Sequence, residues 1–359
     1  MAFVTGFDFL PGDPLLRAAV LSGLFIAALT ACLLVAILAV RLHAASRTAR
    51  EAALQRRWLP LLLAAQDDAA TDLPVLRRGE RKAVLVLWIH LCELVRGRAR
   101  DRFRALGLRL GLDAVARRLF SQSALRDRLI GIAALGRLGC NDCWGELAET
   151  VRQADPVLSF VAMRVLLQLD PRRAAPLLMT EMTRRSDWPM RSIVAAVAEV
   201  DPSLLAADLT TALRMARDDQ LPRLLAVAEM APGDEVAALL LPLLDAKQPP
   251  EILIGALKAT REGRAGEMVR ALAGHEDWRV RVQVAAALGR FGRVEDVDRL
   301  VGLLSDAQWW VRYRAAQALA GMTAVPTERL QALCAALADV YAKEILTQAL
   351  AESALRRLA

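Results

Sequence analysis

The feature that most constrains the fold of this 359-residue chain is an internal repeat of about 31 residues. Residues 280–288 read Val-Arg-Val-Gln-Val-Ala-Ala-Ala-Leu, and residues 311–319 read Val-Arg-Tyr-Arg-Ala-Ala-Gln-Ala-Leu. A repeat with a period of 20–50 residues is typical of stacked architectures. Extending the frame gives eight equivalent positions, of which six are basic: Arg128, Ser159, Arg191, Arg223, Glu251, Arg281, Arg312 and Lys343.

Each repeat unit has the pattern of two helices, and an aspartate often precedes the second one. Asp187, Asp219 and Asp277 stand at this position. An aspartate before a helix accepts hydrogen bonds from the free N–H groups of the first turn, and Pro189 or Pro222 fits that turn. One helix pair cannot bury its apolar face alone, so the units must stack. The sequence therefore predicts an all-α solenoid of about eight or nine helix pairs.

The repeated pattern Asp-x-x-Val-Arg followed by Ala-Ala-x-Ala-Leu-Gly resembles the short HEAT-like repeat, including the type named after phycobilisome lyases. The resemblance extends over about residues 81–359 and is best at residues 277–321. It implies a solenoid with a long binding surface. Single-span HEAT-repeat proteins resemble accessory subunits of envelope or polysaccharide-assembly systems, so the resemblance also implies a membrane partner such as a glycosyltransferase.

An apolar segment near the N-terminus has the length of a membrane span. Residues 18–40 contain no charged side chain. A helix of this length is about 34 Å long, and a hydrocarbon core is about 30 Å thick. We therefore expect a short extracytoplasmic N-terminus at residues 1–17, a transmembrane helix at 18–40, a basic juxtamembrane linker or helix at 41–76, and the solenoid at 77–359.

Five arginines follow this span within 17 residues, and they are candidates for contact with the membrane surface: Arg41, Arg47, Arg50, Arg56 and Arg57. By the positive-inside rule, they predict a single-pass protein of a bacterial inner membrane with its solenoid in the cytoplasm. A cleaved signal peptide usually has an apolar stretch of only 7–15 residues. The segment Leu-Thr-Ala-Cys at 29–32 is similar to a lipoprotein cleavage box that would acylate Cys32, but residues 33–40 remain apolar.

The net charge of +7 is concentrated in one segment. Residues 77–118 carry 12 basic and 4 acidic side chains, whereas residues 119–359 carry 29 basic and 30 acidic ones. A nucleic-acid-binding protein usually carries a basic stripe on its main domain, so we expect no nucleic-acid partner. The basic segment is either a solvated helix end or a surface attracted to anionic headgroups, at about 1 kcal/mol per basic residue.

The candidate partner-binding residues are Trp309, Trp310, Arg281 and Arg312. Tryptophans recur at the start of second helices, where packing between repeats is expected. Adjacent tryptophans cannot easily share one inward direction, however, so one of this pair is expected to be exposed, as at interface hot spots. The recurring arginines either bind anionic groups in a groove or form a structural ladder. Their spacing of four from Asp277 and its equivalents favours the ladder.

Sequence motifs give no sign of catalysis. Cys140 and Cys143 form a single CxxC without further ligands nearby, which favours two reduced thiols over a zinc or redox site. No Ser-His-Asp arrangement, phosphate loop or dinucleotide-binding turn occurs in usable context. We expect no enzyme activity and no cofactor, and we predict a scaffold or adaptor for a partner protein. The alternatives are a bilin lyase, which predicts tetrapyrrole binding, and a nucleic-acid-binding HEAT protein, which predicts salt-dependent affinity.

Overall fold

The chain is all-α in every part that the computed structural model describes. The chain divides into two compact units, residues 1–116 (unit 1) and 117–359 (unit 2). Most of the predicted extracytoplasmic N-terminus, residues 1–13, lies outside the described residues, and the predicted start of the solenoid at residue 77 stays a prediction. The described residues are 14–67, 73–95, 97–231, 233–261 and 265–358.

Unit 1 is built on one long helix. Helix α1 (Pro14–Asp67) is followed by α2 (Arg81–Leu94), α3 (Arg98–Arg109) and the start of α4 (Leu112–Phe120). Within α1, Ser22–Arg41 is long and apolar enough to cross a membrane, with a mean hydropathy of 2.8 and no buried residue. This agrees with the apolar segment predicted from the sequence. Such a helix near the N-terminus has the composition of a membrane anchor and also that of a signal sequence.

The C-terminal part of α1 packs against α2 and α3. Trp58 and Leu62 of α1 are fully buried, as are Trp88 of α2 and Phe103 of α3. The indole N–H of Trp88 donates to the backbone carbonyl of Phe103 at 2.8 Å. These large apolar side chains give unit 1 a core of its own at the end of α1 remote from the apolar segment.

Unit 2 alternates first and second helices, as the repeat predicts. Each of the eight equivalent positions lies within the first four residues of a second helix. The second helices are α5 (Leu125–Leu138), α7 (Pro156–Leu169), α9 (Met190–Ala198), α11 (Leu221–Ala228), α13 (Pro250–Ala259), α15 (Trp278–Phe291), α17 (Trp309–Gly321) and α19 (Val340–Leu358). The first helices between them are α6 (Trp144–Val151), α8 (Pro171–Arg184), α10 (Ala206–Met215), α12 (Asp234–Leu240), α14 (Gly266–Ala271), α16 (Val297–Leu303) and α18 (Thr327–Ala336).

Consecutive second helices pack against one another from α5 to α19. The glycine of the Ala-Leu-Gly motif permits their close approach. A Cβ atom at Gly289 would lie 2.6 Å from the Cβ of Ala318 on the next second helix, and one at Gly136 would lie 2.8 Å from a methyl of Val165. Contacts this short are essentially never tolerated, so the motif glycine is a packing residue.

The predicted aspartate caps are confirmed at one of three positions. Asp277 caps α15, and its Oδ1 accepts from the N–H of Arg279 at 2.7 Å. The prediction is wrong at Asp187 and Asp219, because α9 and α11 begin after Pro189 and Gln220 instead. Each of these two carboxylates is held by the arginine two residues before it. Pro222 does lie in the first turn of α11.

Candidate functional site

Three of the recurring arginines, Arg128, Arg223 and Arg281, hydrogen-bond to a neighbouring repeat. The Nε and Nη2 atoms of Arg281 donate to the two carboxylate oxygens of Asp306 at 2.7 and 2.9 Å. Its Nη1 donates to the carbonyls of His275 and Glu276 at 2.7 and 3.0 Å. The expected pairing of Arg281 with Asp277 is therefore wrong, since Asp306 reaches Arg281 from the next repeat. The ladder between repeats is confirmed at Arg281.

The 25-residue separation between Arg281 and Asp306 recurs at the other end of unit 2. Arg128 lies 153 residues before Arg281 and donates to Gln153, 25 residues ahead of it, at 3.0 Å. Arg117 likewise pairs with Asp142 and Arg270 with Glu295, each across 25 residues. A separation of 25 residues along the chain therefore identifies these partners in the next repeat. The separation of four residues, as between Asp277 and Arg281, does not.

Arg223, one of the recurring arginines, and Arg290 bind backbone carbonyls of the preceding repeat. Arg223 donates to the carbonyls of Met182 and Trp188 at 2.6 and 2.9 Å. Arg290 donates to the carbonyl of Leu257 at 2.6 Å. Met182 and Leu257 lie in the last turns of α8 and α13, where carbonyls lack partners within the helix, and Trp188 lies in the loop before α9. The two guanidinium groups therefore satisfy backbone acceptors. Burial lowers the pKa of Arg223 and that of Arg290.

Arg312 also faces inward. Its Nη1 donates to the carbonyl of Asp306 at 3.1 Å, and its Nε is buried without a partner among the described residues. The structure thus places Arg281 and Arg312 inside the packing between repeats. That they bind a partner stays a prediction, and nothing in their geometry adds to it.

Five aromatic side chains lie near the N-terminal ends of three consecutive second helices, and we call them the aromatic row. They are Trp278 of α15, Trp309, Trp310 and Tyr313 of α17, and Tyr341 of α19. Trp278, Trp309, Trp310 and Tyr341 are 37, 45, 56 and 68% exposed. Within the described residues of unit 2, every exposed tryptophan belongs to the row.

The rings of α17 hold one another in place. Trp309 stacks on Tyr313, with ring centroids 5.0 Å apart and planes 8° from parallel. Trp310 meets Trp309 edge to face at 4.7 Å. We expected one of the two tryptophans to be exposed, and the structure exposes both. Because these rings are already ordered by contact with one another, little of their side-chain entropy would be lost when a partner binds them.

Trp188 stands at the equivalent position of an earlier repeat and behaves differently. It is fully buried, and its indole N–H donates to Ser159 Oγ at 3.0 Å. The expected packing of tryptophans between repeats is thus confirmed for Trp188. It is wrong for Trp278, whose ring lies at the surface, and for one of Trp309 and Trp310, since both are exposed where one was expected to be.

An aspartate accepts a hydrogen bond from an N–H group at the start of each of these three helices, α15, α17 and α19. Asp277 caps α15, Asp306 accepts from the N–H of Gln308 at 2.8 Å, and Asp339 accepts from that of Tyr341 at 2.9 Å. A free helix N-terminus would attract anions. With these carboxylates in place, the aromatic row offers apolar and edge contacts instead of an anion site.

The two cysteines of the CxxC motif form no disulfide and are buried. The Nη1 atom of Arg117 donates to Cys143 Sγ at 2.9 Å. Burial raises the pKa of the Cys143 thiol, which keeps it protonated and weakly nucleophilic. Within the described residues no three His, Cys, Asp or Glu side chains are grouped to hold a metal ion.

The arginines after the apolar segment are only partly described. Arg41 is exposed at the end of Ser22–Arg41, and the side chains of Arg47 and Arg50 lie outside the described part of the chain. Arg56 bonds back to the carbonyl of Ala52 at 3.3 Å, and Arg57 pairs with Glu80 at 3.1 Å. Their contact with a membrane surface stays a prediction.

Reasoning from the sequence missed Tyr341 and Val340 as continuations of the row. Both occupy, in the repeat frame, the positions of Trp310 and Trp309, and both are more than 60% exposed. A comparison of the residues that stand three and two positions before the basic position of each repeat would have identified them.

Comparison with known families agrees with the repeat. Residues 237–320 and 266–355 match the family model described as HEAT repeats. These segments contain the three second helices that carry the aromatic row. No curated protein matches the chain.

Proposed function

We propose that this chain, a HEAT-repeat α-solenoid with one exposed apolar helix near its N-terminus, is a membrane-anchored scaffold for a partner protein. HEAT repeats generally bind protein partners. The observation that carries the proposal is the aromatic row, because it exposes three tryptophans and a tyrosine on consecutive repeats. Exposed tryptophan and tyrosine are enriched among the residues that dominate binding energy.

The proposed partner covers the row with an apolar, shape-matched surface. Neighbouring packed helices lie about 8–10 Å apart, so three second helices present a row about 20 Å long. This length suits the centre of a protein interface. We propose no catalytic role and no cofactor for the chain.

We propose that Ser22–Arg41 is an uncleaved anchor and that the solenoid lies in the cytoplasm. The 20 residues of this segment match the thickness of a hydrocarbon core. The arginines on its C-terminal side support the orientation. We further propose that the protein is an accessory subunit of an envelope or polysaccharide-assembly system of a bacterial inner membrane. This proposal is supported by the resemblance to single-span HEAT-repeat proteins.

The partner is tested by affinity capture from detergent extracts with the double variant Trp309→Ala, Trp310→Ala. The matched control is Leu125→Ala, Val157→Ala, since these exposed side chains hold the equivalent positions of earlier repeats. We expect the tryptophan variant to lose about 2 kcal/mol or more of binding energy, about thirtyfold in affinity, with an unchanged melting temperature. Equal recovery by both variants would contradict the proposal.

The anchor is tested by the intact mass of the protein extracted from membranes. We expect the chain to extend through residue 359 from Met1 or Ala2, without lipid on Cys32. A chain that begins shortly after the apolar segment would make it a signal sequence. One that begins at an acylated Cys32 would make the protein a lipoprotein.

A further inference from the structure

The aromatic row crosses consecutive repeats in a fixed register. Trp278 and Trp309 stand three residues before the basic position of their repeats, and Trp310 and Tyr341 stand two residues before it. Each of these four side chains is at least 37% exposed. Because α15, α17 and α19 contribute their rings at the same point of the repeat, exposed rings recur once per second helix along the row.

The step between these rings follows from the close packing of the second helices. A Cβ atom at Gly289 would lie 2.9 Å from the Cα of Ala318, so the backbones of α15 and α17 approach closely. Ser353 Oγ of α19 donates to the carbonyl of Ala320 in α17 at 3.0 Å. Helices in such contact have axes about 8–10 Å apart, so the rings recur about every 9 Å. A ligand that meets all three repeats must present contact groups with this period.

The polyproline II helix has a period of this size. It has three residues per turn and rises about 3.1 Å per residue, so every third residue returns to the same side after about 9.3 Å. Residues on one side of a β-strand recur about every 6.7 Å. Those on one side of an α-helix recur about every 5.4 Å. A polyproline II segment of about seven residues would therefore place its first, fourth and seventh residues over α15, α17 and α19.

The row also offers hydrogen-bond donors to such a segment. Within the part of the chain that the structure describes, the indole N–H groups of Trp278 and Trp310 have no hydrogen-bond acceptor. A polyproline II helix has no internal hydrogen bonds, so its backbone carbonyls remain available as acceptors. Exposed indole N–H groups beside apolar ring faces are therefore complementary to this type of backbone.

Four charged groups beside the row are paired with one another, which favours a neutral ligand. Asp277 pairs with Arg279 at 2.6 Å, and Asp306 pairs with Arg281 at 2.7 Å. An acidic or basic segment would have to compete with these pairs for its own ionic contacts. A segment of proline and other apolar residues gains its binding energy from the rings and leaves the pairs intact.

We propose that the aromatic row binds a proline-rich segment of the partner protein in the polyproline II conformation. The segment lies across α15, α17 and α19, with one residue in three on the rings of each repeat. Aromatic surfaces bind such segments well because the segment is already stiff and loses little conformational entropy on binding. This inference rests on the proposed function and specifies the chemistry of its partner.

The test measures the fluorescence anisotropy of two fluorescein-labelled peptides with the full chain in detergent. One peptide is Leu-Pro-Pro repeated four times, and the other is Leu-Gly-Gly repeated four times, which keeps the leucines on a flexible backbone. The variant Trp278→Ala, Tyr341→Ala changes both ends of the row and leaves the rings of α17 in place. Tyr341→Ala alone is a second variant, because this ring is 68% exposed. The matched control is Leu125→Ala, Val157→Ala, whose side chains are 44 and 50% exposed.

We expect the wild type to bind the Leu-Pro-Pro peptide at least about tenfold more tightly than the Leu-Gly-Gly peptide, since the flexible peptide loses more entropy on binding. Binding of the Leu-Pro-Pro peptide should weaken at least about tenfold in the double variant, about threefold in Tyr341→Ala, and less than about twofold in the control. Equal affinity of the wild type for both peptides would overturn the inference. Equal affinity of the double variant and the control for the Leu-Pro-Pro peptide would also overturn it.

Further outcomes identify another occupant and separate this inference from the proposed function. Tighter binding of an amphipathic α-helical peptide of leucine and glutamine would show that the row takes a helix, and would overturn the inference. If Trp309→Ala, Trp310→Ala loses the partner in affinity capture while the wild type does not bind the Leu-Pro-Pro peptide, the scaffold stands and the polyproline II inference is wrong. Peptide binding as expected, with capture unaffected by the tryptophan changes, would support the inference and contradict the proposed function instead.

Discussion

Arg281 and Asp306 form a bidentate pair across two repeats, with both N···O distances below 3 Å. The pair is largely buried, at 15% and 9% side-chain exposure. Asp306 also accepts from the N–H of Gln308 just before α17. One carboxylate thus links α15 to the residue that precedes α17, and these two helices carry most of the aromatic row.

Removal of this pair should destabilise the fold in a non-additive way. We expect Arg281→Ala and Asp306→Ala each to lower the free energy of unfolding by about 1.5–3 kcal/mol, and the double variant to lower it by less than the sum. Urea unfolding followed by tryptophan fluorescence measures all three. Asp277→Ala should be additive with Arg281→Ala, because Asp277 bonds to Arg279 instead. Additivity of the Arg281 and Asp306 changes would contradict the structure.

The pair should also make stability depend on pH. Burial raises the pKa of Asp306, but hydrogen bonds from Arg281 and Gln308 lower it, and the net pKa lies below its ordinary value of 3.8. A carboxylate whose pKa is lowered by folding stabilises the fold above its unfolded pKa, and this stabilisation is lost as the pH falls through the folded pKa. We expect the stability advantage over Asp306→Asn to be constant above about pH 5 and to shrink below about pH 4. Urea midpoints of the two proteins, measured from about pH 7 down to about pH 3, follow this difference in stability. An advantage that grows towards acid pH would contradict the assignment.

Gly289 should be intolerant of a side chain. We expect Gly289→Ala to lower the free energy of unfolding by about 1–3 kcal/mol, because its Cβ would overlap Ala318. Gly302→Ala in α16 is the matched control, since nothing lies within 4 Å of a Cβ there. The control should be neutral or gain up to about 1 kcal/mol from helix propensity. Equal melting temperatures of the two variants would show that α15 and α17 are not in close contact at Gly289.

Orientation in the membrane can be read from an exposed cysteine. Cys140, Cys143 and Cys334 are buried, so they are poor targets for a labelling reagent. Met215 is 80% exposed in unit 2. We expect Met215→Cys to react with an impermeant maleimide only after spheroplasts are permeabilised, with the wild type as the background. Labelling of Met215→Cys in intact spheroplasts would place the solenoid outside the cytoplasm.

The sequence was sufficient to predict the repeated architecture because helix pairs are local and their register recurs. All eight predicted equivalent positions fall in the first turns of second helices, from Arg128 to Lys343. The motif glycine at 289 follows from the same frame. The all-α solenoid and its register are therefore properties that the local pattern of residues alone predicts.

The partners of the charged side chains were not predictable in the same way. Asp277 and Arg281 have the spacing of an ion pair on one helix, but Asp277 is used as a cap, and Asp306 of the next repeat competes for Arg281. Such choices are made by tertiary neighbours, which a local pattern does not contain.

Site-specific photo-crosslinking in intact cells tests the central claim most directly. A benzophenone amino acid replaces Trp310 or Tyr341 in the aromatic row, and Val157 is the matched exposed control in α7. We predict that positions 310 and 341 crosslink the same protein in the membrane fraction and that position 157 does not. No crosslink from the row, or the same crosslinks from all three positions, would contradict a scaffold that binds its partner through the aromatic row.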